Sequence, residues 1–236
     1  MTRRTALGFI GSALALPAAA QTCLVPFAAE TAGPFPANGT RAGGGLNVLA
    51  KTGVVRQDIR PSFAGMTGSA TGVPLKIELT LRDTANNCAA MAGAAVYAWH
   101  CDAVGNYSLY SLPDQNYLRG VQIADTDGRL SFTTIYPGCY PGRAPHIHFE
   151  VFASVEDAAA ARSSRLTSQF VFSDATSEKV YRRDGYGQSL AVFRDVPLSR
   201  DGVFRDNTRA EIAVMTFEVS GDIATGLTAR ALVGVA

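Results

Sequence analysis

His146 and His148 are two of only three histidines in a chain of 236 residues, and they stand two apart in Pro145-His-Ile-His-Phe-Glu150. Side chains alternate along a β-strand, so both imidazoles fall on one face, with Ile147 and Phe149 on the other. Two imidazoles placed this way can converge on one metal ion. The plain alternative is a polar pair on a solvent-facing strand. The rarity of histidine here and the Gly/Pro-rich turn just before the strand weigh against it. The partners decide which metal. Zinc usually takes further His, Cys or carboxylate ligands, and an iron(II) facial triad takes a carboxylate. Glu150 lies on the same face, one pleat further along, and is open as ligand or bystander. Two tyrosines stand out instead. Tyr140 precedes His146 in Tyr136-Pro-Gly-Cys-Tyr-Pro-Gly-Arg143, and Tyr107 closes Trp99-His-Cys-Asp-Ala-Val-Gly-Asn-Tyr107. A phenolate is a hard, anionic oxygen donor, and its usual pKa of about 10 falls steeply beside a trivalent cation. Two phenolates and a hydroxide neutralise iron(III). One buried tyrosine by itself is ordinary core.

The segments that must hold these residues are short. Residues 21–72 are rich in Gly, Pro and small side chains, with little periodicity, and read as an extended arm over a core formed later in the chain. From Leu75 the pattern turns to short apolar or alternating runs broken by turn residues. The candidate strands are Leu75–Leu81, Ala94–His100, Val121–Ala124, Leu130–Ile135, His146–Phe152, Gln169–Phe172, Ala191–Arg194, Ile212–Val219 and Leu227–Val233. Asp127-Gly128 marks a turn. Helical periodicity is confined to Ala158–Arg162 and Ser177–Arg183. Many short strands at fairly even spacing predict an all-β fold, an antiparallel β-sandwich with a long N-terminal arm and loop-rich connections. With no repeat and no linker, residues 21–236 are expected to form a single domain.

Three motifs connect these segments: W-x-x-D-A-x-G-x-Y ending at Tyr107, T-I-x-P-G-x-Y-P around Tyr140, and R-x-P-H-I-H-F starting at Arg143. Together with Thr31 to Pro36, the Thr126-Asp-Gly-Arg129 turn and Leu166 to Phe172, they resemble the intradiol ring-cleavage dioxygenases. That family includes protocatechuate 3,4-dioxygenase and catechol 1,2-dioxygenase. The resemblance implies a non-haem Fe(III) held by Tyr107, Tyr140, His146 and His148, with Tyr107 as the equatorial and Tyr140 as the axial tyrosinate. It implies that Arg143 stabilises anionic character on a bound catechol ring and that Gln169 stands near the substrate. Gly33, Pro34 and Phe35 would line the pocket. Read without the resemblance, Arg143 is a solvated turn residue and Gly33-Pro34-Phe35 an ordinary turn. The implied substrates are a small-molecule catechol and O2. The implied reaction is cleavage between the two hydroxylated carbons to a cis,cis-muconate-type diacid. The stretch from Tyr140 to His146 is shorter than in the protocatechuate enzymes, and no long helical segment precedes the expected sandwich. The chain looks closer to the secreted members of the family.

Other features bound the reading. Hydrophobic residues make up 47% and charged residues 17%, as in a foldable globular protein, and the net charge is +1. That balance, with no basic block, argues against nucleic acid and against an anionic membrane as partners, and leaves room for an assembly of identical copies. Arg3 and Arg4, the apolar stretch Leu7–Leu16 and Ala18-Ala19-Ala20 predict that residues 1–20 are a signal peptide, of Sec or twin-arginine type, and that the protein is exported, periplasmic or extracellular. In an oxidising compartment Cys88 and Cys101, flanking an expected hairpin, are candidates for a cross-link, with Cys23 and Cys139 as a second pair. Four cysteines allow three pairings. A non-catalytic secreted sandwich that binds a ligand beside a metal site is the competing class, and it predicts replaced ligands where none is replaced. A zinc or copper site using His100 with His146 and His148 is a further alternative.

Overall fold

Strand β1 (Pro74–Asp83) shows how this chain builds sheet: Leu75, Ile77, Leu79 and Leu81 alternate with polar residues, and all four are buried. The computed structural model describes residues 23–41 and 43–236. The expected signal peptide, residues 1–20, lies outside the described residues. In chain order β1 is followed by β2 (Ala89–Ala90), β3 (Ala95–Trp99), β4 (Arg119–Ile123), β5 (Arg129–Ile135), β6 (His146–Phe152), α1 (Val155–Ala159), β7 (Leu166–Val171), α2 (Asp174–Tyr181), α3 (Gly187–Asp195), α4 (Arg209–Met215), β8 (Glu218–Asp222) and β9 (Gly226–Val235). The protein is mostly β, with two sheets. One runs β2-β1-β9-β8 with β5 also paired to β1; the other runs β4-β3-β6-β7.

Both sheets feed one core. Leu75, Ile77, Leu79, Phe132 and Val233 from the first meet Val96, Ile147, Phe149 and Phe170 from the second. Phe149, Phe170 and Phe217 stack in a row, with ring centroids 4.2 and 4.4 Å apart. Burying a side chain of this size stabilises by roughly 1.5–3 kcal/mol. The opposite face of the second sheet is also covered. There Ala95, Tyr97, Trp99, Tyr107 and Phe152 pack with Ala37, Val48, Leu49 and Val54 of the N-terminal segment. That double cover explains why every residue of β6 is buried, and why a strand carrying two histidines and a glutamate still lies inside the protein. Among the described residues, those before β1 contribute only isolated bridges, among them Val55 to Val121 and Asp58 to Thr133.

Several expectations need correction. The sheets are not purely antiparallel, because β1 and β9 run parallel from Leu75 with Leu227 to Asp83 with Val235. Parallel neighbours need a long connection, and most of the chain lies between these two. Ala191–Arg194 is helical, inside α3, and the Ile212–Val219 run divides into α4 and the start of β8. Short apolar runs do not distinguish helix from strand. A capping box in which Thr208 and Glu211 bind each other's backbone starts α4 instead. The cross-link is Cys23 to Cys88, while Cys101 and Cys139 are free and buried. Cys88 precedes β3 and Cys101 follows it, so a five-residue strand of roughly 3.3 Å per residue holds the expected pair apart. No helix among the described residues is long and apolar enough to cross a membrane.

Candidate metal and substrate site

His146 and His148 project from β6 on the face turned away from the shared core, as the alternation predicts. Their neighbours are set by register. His148 is opposite Trp99 on β3 and Gln169 on β7, and its ring stacks on Trp99 at 4.9 Å between centroids. The Nδ1 of His146 lies 2.7 Å from the Ala144 carbonyl. A carbonyl only accepts, so Nδ1 carries the proton and Nε2 presents a lone pair. That nitrogen is the hub of the site. His148 Nε2 lies 3.1 Å from it, and the Tyr107 and Tyr140 hydroxyls each lie 3.4 Å from it. The structure therefore brings the four expected ligands together from a loop after β3, a loop before β6 and β6 itself.

Spacing and chemistry both fit an ion. Donors bound to one first-row metal at about 2.1 Å stand about 3.0–3.4 Å from each other, and the distances around His146 Nε2 fall in that range. Burial pushes the Tyr107 phenol far above its usual range, with Tyr140 adding to the effect, and burial also raises Tyr140. Burial, then the Arg143 charge, hold both imidazoles well below the usual histidine range. With no cation the cluster is two phenols and two neutral imidazoles. It is a donor set that carries no charge until a strongly positive ion draws off the phenol protons. Among the described residues no three His, Cys, Asp or Glu gather into a metal-holding group; the tyrosines complete this donor set.

Arg143 stands on the turn between Tyr140 and β6, with a terminal nitrogen 3.3 Å from His146 Nε2. Its Nε donates to both oxygens of Asp201, at 3.1 and 2.9 Å, and Nη2 donates to Gln169 Oε1 at 2.5 Å. Gln169 in turn donates to the Thr31 carbonyl at 2.8 Å. Asp201 also accepts from the backbone of Ala144 and Val203, so its buried carboxylate is fully satisfied. Sequence reasoning missed Asp201: it is a single acid in a loop, far along the chain from the Arg143 and Ala144 that it holds.

The N-terminal segment supplies one wall. Gly33 has φ of +65°, and a Cβ there would stand 3.3 Å from His148 Cε1, so a bare backbone passes over the imidazole. Phe35 packs on Tyr107 and Tyr110 at 4.8 and 5.0 Å between centroids, and Pro34 is exposed. The two remaining alternatives are located elsewhere. Glu150 shares the histidine face but accepts two bonds from Asn38 at 3.0 Å and one from Thr167 at 3.2 Å. His100 has both nitrogens engaged, with the Cys101 carbonyl and the Thr134 hydroxyl. Neither belongs to the cluster.

Comparison with known proteins bears on the family and the fold. A family model described as Dioxygenase matches residues 55–177. Chlorocatechol 1,2-dioxygenase of Rhodococcus opacus is 34% identical over 83 residues, which are 34% of this chain and 32% of that protein. The chain thus spans about a third of the length of the curated relative it matches. The intradiol ring-cleavage dioxygenase from Tetranychus urticae superposes with a TM-score of 0.62 at 24% identity, covering 77% of this chain and 86% of that one. That likeness is one of fold.

Proposed function

The chain belongs to the intradiol ring-cleavage dioxygenases, and on that premise we propose that it cleaves catechol-type rings between their two hydroxylated carbons with O2, at a non-haem iron(III) held by Tyr107, Tyr140, His146 and His148. The observation that carries the reading is the meeting of two phenol oxygens and the Nε2 atoms of two imidazoles in one cluster. When bound, the ion would supply Lewis acidity that makes a catechol ring reactive toward O2.

The chain's own residues do the rest. Tyr107 is buried and Tyr140 half-buried at the loop edge, which suits Tyr107 and the histidines to stay fixed. Tyr140 is the group suited to swing aside, its Oη taking a catechol proton. Arg143 holds a cation where the ring would gather negative charge, and the Asp201 and Gln169 contacts keep it there. Phe35 and the backbone at Gly33 form the wall that excludes water and orients the ring. Both atoms of O2 enter the product, a cis,cis-muconate-type diacid, so no external reductant is consumed. The same reading takes the two sheets as layers of a sandwich, residues 21–72 as an arm over one of them, and residues 21–236 as one domain. It takes the protein as exported, in keeping with a disulfide at Cys23–Cys88.

Purified protein should be red-brown from tyrosinate-to-iron charge transfer, and anaerobic catechol should shift that band. Tyr107→Phe and His148→Ala should each lose most of the iron. A colourless preparation holding stoichiometric zinc refutes the assignment. Oxygen uptake across catechol, protocatechuate, hydroxyquinol, chlorinated catechols and lignin-derived catechols then fixes the substrate.

A further inference from the structure

Arg119, the first residue of β4, is fully buried, yet it takes part in none of the ion pairs among the described residues. A buried cation without a counter-charge is costly unless every donor is bound. Here each of the three nitrogens is bound, to an unusual set. Nε donates to Ser108 Oγ at 3.1 Å and Nη2 to the Ser108 carbonyl at 2.9 Å. Nη1 reaches the Phe35 and Pro36 carbonyls at 2.9 and 3.3 Å and the Tyr97 hydroxyl at 3.1 Å. The guanidinium also lies over the Tyr110 and Tyr107 rings, 5.5 and 6.0 Å from their centroids. One side chain thus grips the residue after Tyr107 and the segment that carries Phe35, two pieces distant in sequence.

The backbone on both sides of this grip is strained. Leu109, next to Ser108, and Leu118, next to Arg119, have φ of +68° and +55°. Non-glycine residues keep that conformation only where their surroundings over-determine it. Tyr97 and Tyr110 add to the same knot, donating to the Pro36 and Gly43 carbonyls.

We propose that Arg119 is a positioning residue for the site, locking the Tyr107 loop and the Gly33–Ala37 segment into one unit so that a ligand and a pocket wall share a fixed relation. The inference rests on the function proposed above, but its first readout does not. Arg119→Lys keeps the charge and most of the bulk while giving up the forked contacts. Arg56→Lys is the control: its guanidinium is half-buried and bonds the Arg119 carbonyl and Ile59, but it touches neither Tyr107 nor Phe35.

In the metal-free protein, hydrogen exchange at Ala37 and at Leu109 to Ser111 should quicken by about tenfold in Arg119→Lys and stay near wild type in Arg56→Lys. In the iron-loaded protein, Arg119→Lys should raise KM for the catechol by about tenfold, with kcat falling less, and should lose iron faster to a chelator. The proposal is overturned if Arg119→Lys matches wild type in exchange, KM and iron loss. It is equally overturned if Arg56→Lys reproduces all three changes, since that is general loosening. A wild-type protein that neither binds iron nor consumes catechol refutes the proposed function instead, and the exchange data still decide the role of Arg119.

Discussion

Asp201 is where the chemistry of a single side chain reaches furthest. Its buried carboxylate holds the Arg143 Nε and the Ala144 amide at once, so it fixes both the guanidinium and the turn that leads into His146. Removing one member of a buried ion pair typically costs about 3–5 kcal/mol, since the other charge is left unpaired. Asp201→Asn is therefore expected to cost roughly 3 kcal/mol in urea denaturation and to lower kcat by about ten- to a hundredfold, while bound iron stays near wild type. Arg143→Ala should show the same separation, keeping the metal and slowing cleavage. If Asp201→Asn turns over like wild type, Arg143 holds its place through Gln169 alone. Nothing in the sequence marked this residue. It is one of 20 acidic residues, and no spacing relates it to Arg143.

At the scale of elements, the two sheets are joined beside the site by His100. It follows β3 of one sheet and lies 2.7 Å from Thr134 on β5 of the other, with Nδ1 against the Cys101 carbonyl. Burial lowers its pKa to about 4 from the usual 6.5. The unfolded chain binds a proton here between those values while the folded chain does not, so stability is fully present above about 6.5 and is lost as pH falls toward about 4. The loss approaches about 3 kcal/mol over that window. His100→Gln should flatten that part of the profile, measured by urea melts at pH 7, 5.5 and 4.5; an unchanged slope assigns the acid sensitivity to another group. The sequence spoke clearly wherever one element carried the pattern. Alternation placed His146 and His148 on one face of β6, and three motifs supplied the tyrosines and Arg143. It was silent where support comes across elements. Ser189 on α3 bonds the Cys139 amide and the Ala103 carbonyl, and Tyr181 on α2 bonds the Pro137 carbonyl. Together they brace the loop that carries Tyr140, and Gly138 in that loop has no room for a Cβ, which would stand 2.5 Å from the Asp102 carbonyl. The helical period of α2 was legible over Ser177–Arg183, but not the contact it makes, while the apolar run inside α3 is too brief to read as a helix.

At the scale of the whole molecule, the N-terminal segment is fastened at both ends. Cys23 is bonded to Cys88 beside β2. The chain then bonds Gly234 through the Phe27 amide, with the Phe27 ring edge-on to Phe149 and Phe170. It meets β7 through the Glu30 amide and Ser168 before reaching Gly33 over His148. The disulfide closes a loop of 65 residues, for which constraint of the unfolded chain predicts up to about 4 kcal/mol of stabilisation. Cys23→Ser with Cys88→Ser should therefore lower stability by about 2–4 kcal/mol, and a reductant should bring the wild type to the same value while leaving the variant unchanged. The anchor and the site are separated by the contacts of Phe27 and Glu30, so activity at a temperature where both proteins are folded should differ little. A large rise in KM in the variant would show instead that the wall at Gly33 to Phe35 depends on the distant cross-link, and that Arg119 does not hold it alone.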